Sequence, residues 1–197
     1  MQKSFDTLIQ SFIDNNVGVA DDFLSIPLAK LLKENLLALY ANGAFLAAGT
    51  GNNSKFAHHK SVRSDKIYWL DRKHENEQEN LFFDLIDKFV HFLNSSCYTG
   101  ITGYEFHYAI YEKDSFYKKH LDQFQTDKSR AFSMIMYLNS DWEKKDGGEL
   151  GLHHAGGLQM ISPQSGKCVF FKSSEIAHEV FVTNQPRLSI TGWLKTN

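Results

Sequence analysis

The sequence predicts an α+β fold that is mainly β, with helices in the first half and a β-sandwich or jelly roll in the second. Three amphipathic patterns of helical spacing lie within residues 4–93, and after residue 100 short strand-like segments alternate with turns. Helices that precede such strands are expected to pack on the outer face of one sheet. Apolar residues make up 42% of the chain and aromatic residues 14%, which argues for a packed core and against disorder.

The helices are predicted from apolar residues that recur every three or four positions. The first spans residues 4–14. The second begins after Ser25, a good N-cap residue, and stops at Asn42-Gly43. The third is predicted over residues 81–93 from a stripe of Leu, Phe, Ile and Val. We interpret the apolar faces of these helices as packing surfaces.

Strands are predicted where β-branched and aromatic residues run between turn signals. The first half carries strand-like segments at 17–20 and 66–70. The second half carries eight, at 104–111, 117–123, 131–138, 148–153, 158–161, 167–171, 178–183 and 187–194. No internal repeat or second domain is indicated. Residues 1–197 are therefore expected to form a single domain, with helical support in 1–100 and the β core in 101–197.

Charge and apolar content exclude several classes of protein. The net charge of −2 comes without a basic block, so no nucleic-acid-binding surface is expected. No apolar run approaches the roughly 20 residues that a membrane span needs, and Asp6 and Asp14 stand where a signal peptide would be apolar. Cys97 and Cys168 lack the spacing of a metal site. A disulfide between them is one interpretation, but reduced thiols in a cytoplasmic protein are expected.

The segment 47–64 lacks periodicity and begins with a run of turn residues. Two interpretations stay open: a surface loop, or a loop that covers a binding site, since long loops in compact domains are often functional. His58 and His59 are adjacent, so on a strand they would point to opposite faces. We expect them to be exposed and not to bind metal.

A candidate metal site is built around His120 and Asp122, which are two residues apart. On an extended strand both side chains would point to the same face. His178, on a distant predicted strand, would complete a set of two imidazoles and one carboxylate. Such a set leaves other metal positions open and is typical of non-heme Fe(II) oxygenases. Arg187 follows His178 by nine residues and offers a guanidinium fork for a carboxylate.

Further short motifs accompany these residues in a recognisable order. They are Tyr137-Leu138-Asn139, Asp141-Trp142, Gly147-Gly148-Glu149-Leu150, Phe170-Phe171 and Trp193. With them, the chain resembles the 2-oxoglutarate- and Fe(II)-dependent oxygenases, and within these the prolyl 4-hydroxylase type, especially the oxygen-sensing (HIF) prolyl hydroxylases and their bacterial relatives. The resemblance is densest over 104–195 and extends upstream through 21–24 and 63–69. It implies a double-stranded β-helix with N-terminal helices on one sheet, the active site in 101–197, and a loop at 47–64 that closes over substrate.

The resemblance also implies a role for each candidate site residue. His120, Asp122 and His178 would bind Fe(II), and Arg187 would pair with the distal carboxylate of 2-oxoglutarate. The other residues expected to contact or surround 2-oxoglutarate are Tyr137, Tyr111, Trp193, Thr191, Ile135 and Leu150, of which Ile135 and Leu150 also suit the core. The residues expected near the substrate are Arg130, Arg63 and Asp65.

By the same resemblance, the expected reaction is hydroxylation of a prolyl residue in a protein or peptide. It would use Fe(II), 2-oxoglutarate and O₂, with ascorbate as a candidate reductant, and would release succinate and CO₂. Relatives that halogenate lack the carboxylate ligand, so Asp122 favours hydroxylation. A translation component is a first guess for the substrate. No membrane or nucleic-acid partner is expected.

Other interpretations stay open at this point. A nucleic-acid demethylase of the same superfamily would usually carry a second arginine six residues after Arg187, where this chain has Trp193. An oxygenase acting on a small molecule, or a non-catalytic jelly-roll binding module, would share the fold. His107 would either line the pocket or serve only the structure. His153 and His154 are interpreted as the end of a strand and not as ligands.

Overall fold

The computed structural model describes residues 2–49, 61–123 and 126–196. Its three α-helices are α1 (Gln2–Asn15), α2 (Ile26–Ala41) and α3 (Glu77–Ser96), and single 3₁₀ turns lie at Arg72–His74 and Lys144–Asp146. The Ser25 hydroxyl accepts a hydrogen bond from the Leu28 amide at the start of α2, as its N-cap position predicts. The third helix begins earlier than its apolar stripe because the Asn76 side chain caps it through the Glu79 amide.

The strands form two sheets. In chain order they are β1 (Val17–Ala20), β2 (Leu46–Ala47), β3 (Lys66–Trp69), β4 (Gly103–Tyr111), β5 (Tyr117–His120), β6 (Arg130–Tyr137), β7 (Leu150–His154), β8 (Gly157–Ile161), β9 (Cys168–Lys172), β10 (Ala177–Val180) and β11 (Arg187–Lys195). The major sheet has the order β1-β9-β6-β11-β4-β3-β2, and the minor sheet has the order β5-β10-β7-β8. Neighbouring strands in both sheets are antiparallel. The eight strands predicted in the second half are all present.

Two strands are shorter than the sequence suggested. The segment predicted over 117–123 ends as a strand at His120, and the segment predicted over 178–183 ends at Val180. The pairing between β5 and β10 is irregular between His178 and Val180. Beyond these points the chain bends away from the minor sheet, and Asp122 lies in such a bend.

The major sheet separates two apolar cores, because alternate residues of a strand point to opposite faces. On β11, Leu188, Ile190 and Leu194 belong to the core beneath the helices. That core is rich in phenylalanine, and Phe89 of α3 packs edge-on against Phe170 of β9 at 5.9 Å between ring centroids. The helices therefore lie on the outer face of the major sheet, as predicted.

The inner face of the major sheet meets the minor sheet. Ile135 and Phe171 from the major sheet share a buried cluster with Leu150 and Leu152 from the minor sheet. The same inner face carries Arg187, which begins β11. The strand alternation thus directs the candidate site residues of β4, β6 and β11 into the space between the two sheets.

The structure also bears on the state of the two cysteines and on membrane-spanning helices. Cys97 is exposed and Cys168 is buried, and both are free thiols. In the part of the chain that the structure describes, no helix is long and apolar enough to cross a membrane.

Candidate active site

The structure brings together His120, Asp122 and His178 at one end of the space between the sheets. His178 lies directly across from His120 in the β5–β10 pair. The Nε2 atoms of His120 and His178 are each 3.5 Å from an oxygen of the Asp122 carboxylate. One potential ligand atom from each residue lies within 4.8 Å of the others. Because β5 ends at His120, the bend at Asp122 and not strand alternation brings its carboxylate to the same place.

Backbone carbonyls fix the orientation of both imidazole rings. The Nδ1 atom of His120 lies 2.8 Å from the Lys118 carbonyl, and that of His178 lies 3.1 Å from the Ile176 carbonyl. A carbonyl only accepts, so each Nδ1 carries a proton, and in the neutral imidazole the lone pair is then on Nε2. The Tyr117 ring stacks on the His120 ring, with 3.6 Å between the ring centroids, and so further restricts the orientation of the imidazole.

The protonation states suit a divalent cation. Burial lowers the pKa of His178 to about 4, with the partly opposing effect of the Asp122 carboxylate, so His178 is neutral at pH 7. Burial by itself would raise the pKa of Asp122, but His178, His120 and a hydrogen bond from Ser133 together hold that pKa well below its ordinary value. Neutral imidazole and ionised carboxylate are the forms that bind metal. His178 and Asp122 are therefore already in the forms that bind a cation, and two imidazoles with one carboxylate are a donor set that fits Fe(II).

Arg187 presents a buried positive charge to the same space. Its side chain is 1% exposed. Its Nε donates to the Gly148 carbonyl at 2.8 Å, and its Nη1 lies 3.3 Å from the Ser189 hydroxyl. The guanidinium lies about equally far from two tyrosine rings, at 4.9 Å from Tyr111 and 5.0 Å from Tyr137.

Two donors beside this charge are unpaired. The Nη2 of Arg187 and the hydroxyl of Tyr137 are buried and have no hydrogen-bond partner among the described residues. Burial raises the pKa of Tyr137 to about 12, so the hydroxyl keeps its proton at neutral pH. A cation and a hydroxyl with unused donors fit a carboxylate, since buried polar groups are otherwise paired.

A cavity of about 790 Å³ connects the metal ligands with Arg187. Its wall includes both histidines and Asp122, together with most of the residues expected to surround 2-oxoglutarate: Tyr111, Ile135, Leu150, Arg187, Thr191 and Trp193. Tyr137 lies outside this wall and is fully buried. That these residues contact 2-oxoglutarate, as the resemblance implies, stays a prediction.

Two of the three residues expected near the substrate line this cavity. Arg63 and Arg130 are part of its wall. Arg63 makes two hydrogen bonds to the Asp65 carboxylate, at 2.8 and 2.6 Å, and its guanidinium lies 4.2 Å from the Tyr117 ring. Arg130 stacks on Trp193 at 3.4 Å. Asp65 is buried and does not line the cavity. It contacts Arg63, which does line the cavity.

The predicted covering loop is only partly described. Residues 50–60, including His58 and His59, lie outside the described residues. Both described flanks reach the cavity: Ala47 and Gly49 on one side, and Val62 and Arg63 on the other. His153 and His154, not expected to be ligands, hydrogen-bond instead to Glu179 and Gln159, each at 2.8 Å.

Sequence reasoning did not single out Ser133 or Trp69, which the structure places in this region. Ser133 donates a hydrogen bond to Asp122, and Trp69 lies in the cavity wall. His107, for which two interpretations stayed open, is in the wall between Trp69 and Trp193, at 5.1 and 5.7 Å between ring centroids. Burial lowers the pKa of His107 to about 4. Strand alternation could have indicated both Ser133 and His107. Ser133 lies on the same face of β6 as Tyr137, and His107 lies on the same face of β4 as Tyr111.

The candidate site lies between the two sheets of the fold, and a family comparison covers the residues that form it. The model described as the 2OG-Fe(II) oxygenase superfamily matches residues 106–195, a span that contains the three converging ligands and Arg187. Over these residues the chain is therefore similar to the 2OG-Fe(II) oxygenase superfamily. This superfamily uses Fe(II), 2-oxoglutarate and O₂.

Individual relatives narrow the resemblance to prolyl hydroxylases. The chain is 30% identical to the hypoxia-inducible factor prolyl hydroxylase of Caenorhabditis elegans and 26% identical to Egl nine homolog 1 of Homo sapiens, over 94% and 98% of its length. It spans only 27% and 47% of those two proteins.

Solved structures of prolyl hydroxylases match over nearly the whole chain. A prolyl-4-hydroxylase of Pseudomonas putida superposes with a TM-score of 0.86 at 28% identity, covering 98% of this chain and 99% of that one. A prolyl hydroxylase of Trichoplax adhaerens, in complex with a peptide fragment of the hypoxia inducible factor oxygen degradation domain, also gives 0.86, at 24% identity and with 98% and 91% covered. The predicted double-stranded β-helix is confirmed.

Proposed function

We propose that this chain is an Fe(II)- and 2-oxoglutarate-dependent dioxygenase that hydroxylates a prolyl residue of a protein or peptide and releases succinate and CO₂. One observation carries the proposal: a triad of two imidazoles and one carboxylate shares a cavity with a buried arginine that has an unused donor. The similarity to prolyl hydroxylases supports the choice of a prolyl substrate.

In this proposal His120, Asp122 and His178 hold the metal. Backbone carbonyls set the ring orientations of His120 and His178, so metal binding would require little rearrangement of the two imidazoles. Fe(II), when bound, supplies the activation of O₂ with 2-oxoglutarate as the co-substrate. No residue of the chain is assigned as a separate acid or base.

Arg187 and Tyr137 would hold the distal carboxylate of 2-oxoglutarate through their unused donors. Tyr111 and Thr191 would contact the co-substrate from the cavity wall. The remaining expected contacts, Ile135, Leu150 and Trp193, would exclude water from it. Excluding water matters because electrostatic contacts strengthen in a dry site and reactive species are protected from side reactions.

Arg63 and Arg130 would orient the substrate backbone at the opening, with Asp65 holding Arg63 in place. Prolyl hydroxylase relatives act on protein or peptide substrates. A translation component as the substrate, a cytoplasmic location and ascorbate as a reductant stay predictions.

The experiment combines turnover with identification of the product. The purified protein is incubated with Fe(II), 2-oxoglutarate, isotopically heavy O₂ and cell lysate, and succinate release and labelled peptides are measured. We expect succinate and one heavy oxygen atom on a prolyl residue. His178→Ala, Asp122→Ala and His120→Ala should abolish both signals.

His153→Ala is the matched control, because His153 lies on the neighbouring strand and pairs with Glu179 instead of the triad. It should keep full turnover. Full activity of His178→Ala in metal-scrubbed buffer would disprove the ligand assignment. Label on a nucleobase or a small molecule would show that the substrate is not a protein. Binding of 2-oxoglutarate without any release of succinate would indicate a non-catalytic module.

A further inference from the structure

We propose that Ser133 and Ser173 form a hydrogen-bonded relay that positions the Asp122 carboxylate for metal binding. The two serines would then be positioning residues, acting on the metal through Asp122. This inference rests on the proposed function, since it takes His120, Asp122 and His178 as the metal ligands.

The relay has a defined direction. The Ser133 hydroxyl donates to Oδ2 of Asp122 at 2.7 Å and lies 2.9 Å from the Ser173 hydroxyl. An ionised carboxylate only accepts, and a serine hydroxyl has one proton to give. Since Ser133 gives its proton to Asp122, Ser173 must donate to Ser133. Both serines are fully buried, so water does not replace either bond.

Asp122 needs such support because no strand holds it. The β5 strand ends at His120, and Asp122 follows in a bend. The terminal torsion of an aspartate is broad, so its backbone does not by itself fix the plane of the carboxylate. A short bond to Ser133 fixes that plane, and bonds to a charged acceptor are about twice as strong as neutral ones.

The relay links the ligand to the major sheet. Ser133 is in the middle of β6, and Ser173 directly follows β9. The backbone of Ser173 is held at both ends: its amide donates to the Ala131 carbonyl at 3.1 Å, and its carbonyl accepts from the Gln123 amide at 3.2 Å. Gln123 is the residue after Asp122. Ser173 therefore holds both the side chain of the ligand, through Ser133, and the adjacent backbone.

The test measures metal affinity instead of turnover. Co(II) is titrated into the folded protein against a competing chelator, for the natural chain, Ser133→Ala, Ser173→Ala and the double variant. Loss of a group that orients a metal ligand typically costs roughly 10–100-fold in affinity. We expect the Co(II) affinity of Ser133→Ala to fall by a factor within this range. The affinity of Ser173→Ala should fall by a smaller factor.

The double variant distinguishes a relay from two separate supports. The Ser173 hydroxyl reaches Asp122 only through Ser133, so the double variant should bind Co(II) no more weakly than Ser133→Ala. Independent effects would add instead. Ser189→Ala is the matched control, because Ser189 is equally buried on β11 but its hydroxyl contacts Arg187. Its Co(II) affinity should equal that of the natural chain.

Unfolding in urea without metal is measured for each variant, so that a loss of folding is not mistaken for a loss of affinity. A folded Ser133→Ala with unchanged Co(II) affinity overturns the inference, and so do losses that add in the double variant. Both results leave the proposed function intact. If the natural chain does not bind Co(II), or His178→Ala binds it equally well, the proposed ligand set fails and the relay fails with it.

Discussion

At the scale of single residues, Arg187 is the least expected feature of a protein interior. It is almost completely buried, and none of the described residues pairs it with a carboxylate. A buried charge without a partner is costly unless it is hydrogen-bonded and compensated. The Gly148 carbonyl and two tyrosine rings offset part of this cost, and the unused Nη2 leaves room for an anion. This arrangement supports the proposal that Arg187 binds a ligand carboxylate.

Arg187→Ala should raise the Michaelis constant for 2-oxoglutarate steeply. Loss of one partner of a buried ion pair costs on the order of 3–5 kcal/mol, which is at least about a hundredfold in affinity. Arg187→Lys should lose less, because the charge remains while the fork is gone. Succinate release measured against 2-oxoglutarate concentration checks both. Co(II) affinity should stay unchanged, and an unchanged 2-oxoglutarate dependence in Arg187→Ala would place the anchor elsewhere.

Spacing along the chain indicated candidate site residues where the side chains can bind a metal or a carboxylate. His120, Asp122, His178 and Arg187 could be proposed from the sequence because few other patterns explain them together. Ser133 could not be proposed in this way, because a serine in a strand suggests no function until its hydrogen-bond partner in the fold is known. Its function depends on a contact with a residue eleven positions away that lies outside any strand.

At the scale of elements, close approach of α1 to β1 requires a glycine. A Cβ atom added at Gly18 would lie 2.5 Å from the Leu8 carbonyl oxygen and 3.2 Å from the Phe12 Cβ, both on α1. The neighbour at 2.5 Å is backbone, so the helix itself would have to move. Gly18 therefore sets the distance between the first helix and the edge of the major sheet.

Gly18→Ala should destabilise the fold by about 1–3 kcal/mol, the usual cost of overpacking a core. The measurement is urea unfolding of the metal-free protein. Gly103→Ala is the matched control: Gly103 begins β4, and nothing lies within 4 Å of an added Cβ there. Its stability should change little. Equal stability of Gly18→Ala and the natural chain would mean that α1 shifts at no cost.

Elements with strong periodicity were predictable, and elements that end for tertiary reasons were not. The apolar stripes of α1 and α3 are properties of the local sequence. The early ends of β5 and β10 depend on where the chain leaves the minor sheet, and the turn residues that follow carry no clear stop signal. The two-residue strand β2 was missed because it exists only through its pairing with β3.

At the scale of the whole molecule, the site is shared between the two sheets. His120 and His178 come from the minor sheet, whereas Arg187, Tyr111 and Ser133 come from the major sheet. Strand order and register decide which residues face each other, and no local pattern in the sequence encodes them. The sequence could therefore propose candidate residues for the site, while their mutual distances required the fold.

Because the site exists only in the folded chain, ligands that bind it should stabilise the fold. A ligand at 100 times its dissociation constant stabilises by about 2.7 kcal/mol, and for a chain of this size each kcal/mol raises Tm by roughly 2–4 °C. Saturating Mn(II), which suits nitrogen and oxygen ligands, should thus raise Tm by roughly 5–10 °C. Adding 2-oxoglutarate should raise it further.

The variants separate the two halves of the site in this measurement. His178→Ala should lose the Mn(II) shift, because one of three ligands is gone. Arg187→Ala should keep the Mn(II) shift and lose most of the additional rise with 2-oxoglutarate, because the metal ligands are intact while the anchor for the distal carboxylate is missing. Differential scanning calorimetry at fixed protein concentration measures both. If His178→Ala shows the same Mn(II) shift as the natural chain, the metal binds elsewhere and the proposed ligand set is wrong.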